Sequence, residues 1–451
     1  MAAPVHPIDE VLPLPRLLAL GLQHVLVMYA NAVAVPLIVG GALHLPKDQL
    51  ALLINADLFA CGIATLVQTI GIGMFGIRLP VIMGVTAVSI TPMLAIAAMP
   101  GVGLTGIYGA VLVGGLFGLL VAPGVKYVLP FFPSVVTGTI ITMIGIALMR
   151  VGIGWAGGGA SAADFGAGGY LLVAALVLAV ILAIIRFARG FLANMAVLIG
   201  IAVGYVVTIA LGWTDFGGLQ DEAWIRLVLP LQFGWPTFYL IPSLTMCLVM
   251  TIVFIEATGM FLALGAMTGR AVGAEDIKRG LRADALGTII GGLFNTFPYV
   301  SYSQNIGLVG VTGVHSRWVC VTGGFIMLAL GLVPKLAFIV ASVPQCVLGG
   351  AGFIMFGMVA ATGIKILATV DYKAQRNNVL VVAIAIGFGM IPIVSPNFFR
   401  IMPAELKPIF GDAIILTSIA AVLLNAYFNR AVAASEAAMD AMLAAEAAEH
   451  L

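Results

Sequence analysis

Long apolar runs, broken by proline, glycine or charge, occupy most of the chain. In the first half they lie near residues 17–38, 50–73, 79–98, 103–123, 128–149, 169–186 and 191–212. In the second half they lie near 241–265, 283–296, 297–313, 319–341, 345–368, 378–396 and 409–429. Most approach the ~20 residues that a helix needs to cross the hydrocarbon layer. They are too long and too uniform for the alternating strands of an outer-membrane barrel. The pattern predicts an all-α polytopic membrane protein with fourteen spans in two sets of seven. Two segments are irregular. Residues 79–98 contain Pro80 and Pro92 among small polar residues, and 283–313 fits two short crossings, the second rich in Ser, Asn, Gln, Gly and Tyr.

Composition agrees with the pattern. Hydrophobic residues make up 62% of the 451 and charged residues 9%, against about 25% charged in soluble domains. Too little charge is available to cover a water-facing surface, which excludes a soluble enzyme. A net charge of +1 leaves no footprint for nucleic acid. Cys61, Cys247, Cys320 and Cys346 all fall in apolar runs without CxxC spacing, so neither a disulfide framework nor a metal site is expected. The N-terminus lacks the basic stretch and cleavage site of a signal peptide, and the first span is expected to direct insertion.

With the N-terminus placed in the cytoplasm and the spans alternating, inside segments collect 14 of the 20 Lys and Arg residues. The positive-inside rule therefore predicts both termini in the cytoplasm. The longest outside segment, 213–240, separates the two sets. Seven is odd, so the second set must be inverted relative to the first. Inverted repeats with interrupted helices at matching positions are a signature of secondary transporters. The third span of each set fits: one begins Leu79-Pro80-Val81, the other Phe297-Pro298-Tyr299, each followed by small polar residues. Aligning the prolines places Thr86 opposite Gln304. Backbone freed by proline survives in a membrane where it lines a cavity or meets a ligand. The tail 431–451 is Ala-rich and acidic and is expected to form a short soluble helix or a frayed end.

Few polar side chains lie at depth. Glu256 is near the middle of the eighth span, with Gly259 and Ala263 on the same helical face leaving space beside it. A charge there costs about 2.5–3.5 kcal/mol on the lenient insertion scale, which marks Glu256 as a substrate ligand or proton carrier, the alternative being a structural partner hydrogen-bonded to a neighbouring span. Asp284 begins the ninth span close to Arg279 and Arg282, so an interfacial salt bridge and a proton relay both remain open. Asp57 lies near the start of the second span and is expected to snorkel to the interface. Gln23 and His24 lie in the first span, where His24 is either a packing residue or part of the site. Gln304 and Asn305 offer amide donors and acceptors that match the lactam edges of a planar heterocycle.

At these residues the chain resembles the nucleobase–ascorbate transporters, also called the nucleobase:cation symporter-2 family. The family signature [Q/E/P]-N-x-G-x-x-x-x-T-[R/K/G] reads here from Gln304 to Gly313 without a mismatch. Gln23-His24 and Glu256 match further positions, and the likeness extends over nearly the whole chain.

The resemblance implies two inverted seven-span repeats with short β-strands in spans 3 and 10. It implies a core domain in two parts (residues 1–123 and 241–341) and a gate domain in two parts (124–212 and 342–430), joined by the extracytoplasmic loop 213–240 and followed by the cytoplasmic tail 431–451. By carry-over, Glu256 and Gln304 bind a purine and Asn305 shapes the site. His24, Asp284 and Gln23 support it and affect proton coupling. Thr86 comes from the repeat alignment, and the family's polar position in the third span agrees with it.

Gln304 at the first motif position points to xanthine or uric acid. Some xanthine-specific members carry a second carboxylate where this chain has Met260, which admits uric acid equally. The expected protein is a proton-coupled importer of an oxidised purine in a bacterial inner membrane. It needs no cofactor, binds no nucleic acid, and forms a homodimer through its gate domains. Rivals are a symporter of uracil or another nucleobase, an anion transporter or channel of the same architecture, and a membrane-embedded enzyme. The last lacks an HExxH motif, a paired Asp-rich motif or a Ser/His/Asp set at plausible depth.

Overall fold

Apolar runs rich in Leu, Ile, Ala and Val satisfy their backbone groups within one segment by forming helices, as lipid requires. In the computed structural model residues 6–127, 129–159, 162–373, 375–403 and 406–429 are described, and within them the side chains of residues 30, 31, 126, 129, 303, 304, 306, 311, 407 and 408 are not. The tail 431–451 lies outside the described residues. The first set comprises α1 (Leu14–Ala42), α2 (Lys47–Leu66), β1 (Met83–Val85) with α3 (Ile90–Ala97), α4 (Gly103–Val121), α5 (Ser134–Ala156), α6 (Gly168–Phe187), and α7 (Phe191–Asn194) with α8 (Ala196–Ala210). The second comprises α9 (Leu240–Thr268), α10 (Ala274–Leu293), β2 (Tyr299–Ser301) with α11 (Ser303–Thr312), α12 (Arg317–Gly331) with α13 (Pro334–Ala341), α14 (Gln345–Ala368), α15 (Asn378–Val394), and α16 (Lys407–Phe410) with α17 (Ala413–Phe428).

Among the described residues seven helices are each long and apolar enough to cross a membrane, or eight if α12 and α13 form one bent span. Shorter apolar helices fill most of the remaining segments. Two boundaries differ from expectation. α10 starts at Ala274 rather than near 283. Asp276 accepts from the Gly273 N–H at 3.1 Å and caps a charged first turn that an apolar pattern does not register. The expected single span 319–341 bends by 81° between α12 and α13. Pro334 cannot donate into the preceding turn and instead starts a new helix.

The two interrupted segments meet. Among the described residues β1 and β2 form a two-stranded antiparallel sheet, with Met83 opposite Ser301, Gly84 opposite Val300 and Val85 opposite Tyr299. The Thr86 N–H donates to the Pro298 carbonyl and the Tyr302 N–H to the Ile82 carbonyl, each at 2.9 Å. These symmetric bonds fix the repeat equivalence: Gly84 matches Val300 and Thr86 matches Tyr302. Proline alignment put Thr86 opposite Gln304 and is therefore two residues out of step. Pro80 precedes its strand by three residues and Pro298 by one. Gly84 is needed at the crossing, because a side chain there would strike the Tyr302 ring.

The helices pack as two groups. α1, α2, α4, α9, α10, α12 and α13 pack chiefly with one another, as do α5, α6, α8, α14, α15 and α17. The seam between α5 and α14 is built on small residues. A side chain on Gly145 would strike the Ala360 backbone, and one on Gly363 the Thr142 backbone. The segment 213–239 links the groups and lies along the first. The Leu231 N–H donates to the Leu293 carbonyl at 2.8 Å, and the Gln232 and Phe233 N–H groups donate to Asn295 Oδ1. Its start is tied by Asp215 to Lys47, 2.7 Å apart; this contact and the Gly217 N–H hold the Asp215 carboxyl below the ordinary aspartate range. Replacing Gly145 or Gly363 with Leu should lower the Tm of detergent-purified protein, since overpacking costs about 1–3 kcal/mol. Gly154→Leu, on the open side of α5, should leave it unchanged. Equal effects in all three would refute the seam.

Candidate functional site

α9 crosses beside the interrupted segments and packs on β2, on α11 and on the turn Ala87–Ser89 that leads into α3. Three of its four threonines spend their hydroxyls on their own helix: Thr251, Thr258 and Thr268 each donate to the carbonyl four residues back. Glu256 is half-buried and lines a small cavity with Ile252 and Ile255 of α9. The opposite wall is Phe132, Thr137, Ile140 and Ile141, on and just before α5. Glu256 thus stands between the two helix groups. Among the described residues the only other polar side chain on the cavity is Thr137, whose hydroxyl donates to the Phe132 carbonyl at 3.0 Å and so faces outward only as an acceptor.

Asn305 is in the first turn of α11 and is fully buried. Its Nδ2 donates to the His24 carbonyl at 3.1 Å and lies 3.0 Å from His24 Nδ1. A carbonyl oxygen can only accept, which fixes the amide orientation. Nδ1 must then accept as well, so the buried His24 ring is neutral with its proton on Nε2. Asn305 Oδ1 is buried without a partner among the described residues and stands ready as an acceptor. The side chain of Gln304, the residue before it, is outside the described residues. Gln23 is half-buried and, among the described residues, belongs to none of these networks.

Asp284 is fully buried in α10. Its Oδ1 accepts from Gln68 Nε2 at 2.8 Å and from Ser301 Oγ at 3.4 Å, while Oδ2 has no partner among the described residues. The salt bridge to Arg279 or Arg282 that spacing left open is not formed. Gln68 ties this cluster together: Nε2 also donates to the Gly280 carbonyl at 3.1 Å, and Oε1 accepts from the Ile77 N–H at 3.0 Å. Sequence reading passed over Gln68 because it lies near the end of an apolar run, where polar residues are ordinary. The signal was an amide within the run 50–73. Thr86 is buried and caps the turn Ala87–Ser89, accepting from the Val88 N–H at 3.2 Å. Asp57 does not snorkel. It is buried and accepts from Thr296 and Tyr299 at 2.8 Å each, because those hydroxyls supply in the interior the hydrogen bonds that water would supply outside.

α3 and α11, whose N-terminal ends carry the positive end of the helix dipole, both pack on α9, the helix that bears Glu256. An acidic side chain on a largely apolar cavity offers hydrogen bonding without a cationic side chain to hold a bare anion. Among the described residues no cluster of three or more His, Cys, Asp or Glu side chains could hold a metal.

The Xan_ur_permease model, described as a permease family, matches residues 15–398. The uric acid transporter UacT of Escherichia coli is 51% identical over 427 residues, covering 94% of this chain and 89% of that protein. The xanthine permease of Bacillus subtilis is 41% identical over 414 residues, covering 92% and 94%. Among solved structures, the murine anion transporter Slc26a9 matches with a TM-score of 0.64 at 12% identity, covering 93% of this chain and 69% of that one. At that identity the likeness concerns the inverted-repeat fold alone.

Gln68→Leu leaves Asp284 Oδ1 and the Ile77 N–H without their main partner. Each orphaned buried group costs about 1–3 kcal/mol, so the purified protein should melt at lower temperature. Gln23→Leu, outside the network, should not change the Tm. An unchanged Tm for Gln68→Leu would contradict its linking role.

Proposed function

The chain belongs to the permease family of nucleobase–ascorbate transporters, and from that premise we propose that it imports uric acid or xanthine together with a proton. It is a membrane transporter, not an enzyme. The observation that carries the proposal is the position of Glu256 in a cavity between the two helix groups. A carboxyl there is a hydrogen-bond acceptor when ionised and a donor when protonated. It can therefore bind a lactam edge and register whether a proton is aboard. Asn305, with its free Oδ1, sits in the half-helix that also carries Gln304. Uric acid is placed first because the relative named for it is more similar than the relative named for xanthine.

The proposed cycle moves one helix group against the other. The core domain (1–123 and 241–341) carries Glu256, Asn305, His24, Asp284 and Thr86, and the gate domain (124–212 and 342–430) supplies the apolar wall. Protonation of Glu256 removes the charge that reorientation would otherwise draw through an apolar interface. His24 does not carry the proton in this cycle, because its Nδ1 is committed as an acceptor to Asn305. With a neutral purine, one proton carries a net positive charge inward and gains about 2.3 kcal/mol per 100 mV, sufficient to concentrate substrate about fiftyfold; with a purine monoanion the pH gradient alone drives uptake. On this reading the protein sits in a bacterial inner membrane with both termini cytoplasmic, and it pairs as a homodimer through its gate domains as the family resemblance implies.

In proteoliposomes with an alkaline interior, wild-type protein should accumulate labelled uric acid, with unlabelled uric acid and xanthine competing better than uracil, guanine or hypoxanthine. Glu256→Gln should abolish accumulation above equilibrium. Undiminished concentrative uptake by that variant would remove Glu256 as proton carrier. Chemically altered purine would make the protein an enzyme.

A further inference from the structure

One buried carboxylate has no part in the cycle above. Asp57, on α2, is 1% exposed. No Lys, Arg or His forms an ion pair with it among the described residues. Instead Oδ1 accepts from Thr296 Oγ1 and from the Tyr299 hydroxyl, both at 2.8 Å, and the Asp57 carbonyl lies 3.0 Å from the same Tyr299 hydroxyl. The Cys61 thiol, one turn along α2, lies 4.0 Å from each carboxylate oxygen.

Thr296 and Tyr299 bracket Phe297-Pro298, the break that ends α10 and starts β2. The backbone of the same stretch is held at both ends. The Thr296 N–H donates to the Gly291 carbonyl at 2.8 Å, and the Tyr299 N–H to Thr288 Oγ1 at 3.1 Å. Pro298 accepts from the Thr86 N–H, and Tyr299 pairs with Val85. The location of Tyr299 therefore sets the strand crossing from which both half-helices start, and with it the placement of Thr86, Gln304 and Asn305.

We propose that Asp57 is a positioning residue for the purine site: acting through Tyr299 and Thr296, it locks the crossing of β1 and β2. The inference rests on the proposed purine transport. The clamp needs an acceptor oxygen, not a charge, because both of its side-chain partners are hydroxyl donors. An asparagine oxygen meets the same need, and its amide nitrogen would face the Cys61 sulfur, a weak acceptor. Removing the oxygen, or the Tyr299 hydroxyl, frees the strand from α2 and loosens the site without touching substrate.

The test measures uric acid uptake in proteoliposomes over a pH range, equilibrium binding to detergent-purified protein, and Tm, for wild type, Asp57→Asn, Asp57→Ala, Tyr299→Phe and the Asp57→Ala/Tyr299→Phe double variant. Asp57→Asn should keep KM, maximal rate and pH profile within about threefold of wild type, while Asp57→Ala and Tyr299→Phe raise KM and Kd about tenfold with little change in maximal rate. The double variant should be no worse than Asp57→Ala alone, since both cut one linkage. A shifted pH profile or lost accumulation in Asp57→Asn would overturn the proposal and make Asp57 a titrating group. Unchanged KM and Kd in Tyr299→Phe, whatever its Tm, would reduce the cluster to fold stability. If Asp57→Ala does not fold, Asp57→Asn and Tyr299→Phe decide between these outcomes. If wild-type protein moves and binds no purine, the functional reading fails rather than the clamp.

Discussion

Interrupted backbone at membrane depth must find hydrogen-bond partners inside the protein, because lipid offers none. Here the two interruptions satisfy each other. Three residues of β1 pair with three of β2, and one further bond on each side, from Thr86 to Pro298 and from Tyr302 to Ile82, closes the crossing. Everything proposed for the site follows from that pairing. It allows two half-helices to begin inside the protein, directs their N-terminal ends toward α9, and leaves Glu256 opposite α5 in a cavity that neither helix group could form alone.

The polar residues around the crossing form three separate networks with different tasks. His24 and Asn305 join α1 to α11 and leave an amide oxygen free. Gln68, Asp284 and Ser301 join the turn that follows α2 to α10 and β2. Asp57, Thr296 and Tyr299 join the middle of α2 to the break before β2. α2 and the turn that follows it thus hold both ends of the interrupted segment. The arrangement explains why so many buried polar groups are tolerated in a chain with 9% charged residues: most have a partner, and two of the buried acceptor atoms that lack one, Asn305 Oδ1 and Asp284 Oδ2, belong to residues of the candidate site.

Apolar run length was enough to place nearly every helix, since crossing lipid constrains length and composition directly. It failed where local chemistry overrides apolarity: the capped, charged start of α10 and the proline bend between α12 and α13. Glu256, His24, Asp284 and Asn305 stood out as candidates in the sequence because polar groups at depth are rare. Gln68 and Asp57 were misjudged for a shared reason. Distance along a helix from the span centre says how near the interface a residue lies, but not whether a neighbouring segment covers it. The repeat alignment failed differently, because proline position and strand position are independent, and only the hydrogen-bonded register relates the strands. The fold alone would also fit an anion transporter, as the likeness to Slc26a9 illustrates; the carboxyl on the cavity and the 51% identity to a uric acid transporter favour a purine.

The most direct test of the central claim is a structure of the protein in lipid with uric acid bound. The account predicts the ring between α9 and the N-terminal ends of α3 and α11, with a lactam edge on the Glu256 carboxyl and α5 closing one face. A purine bound away from Glu256, or a Glu256 carboxyl turned toward lipid in the occupied protein, would contradict it.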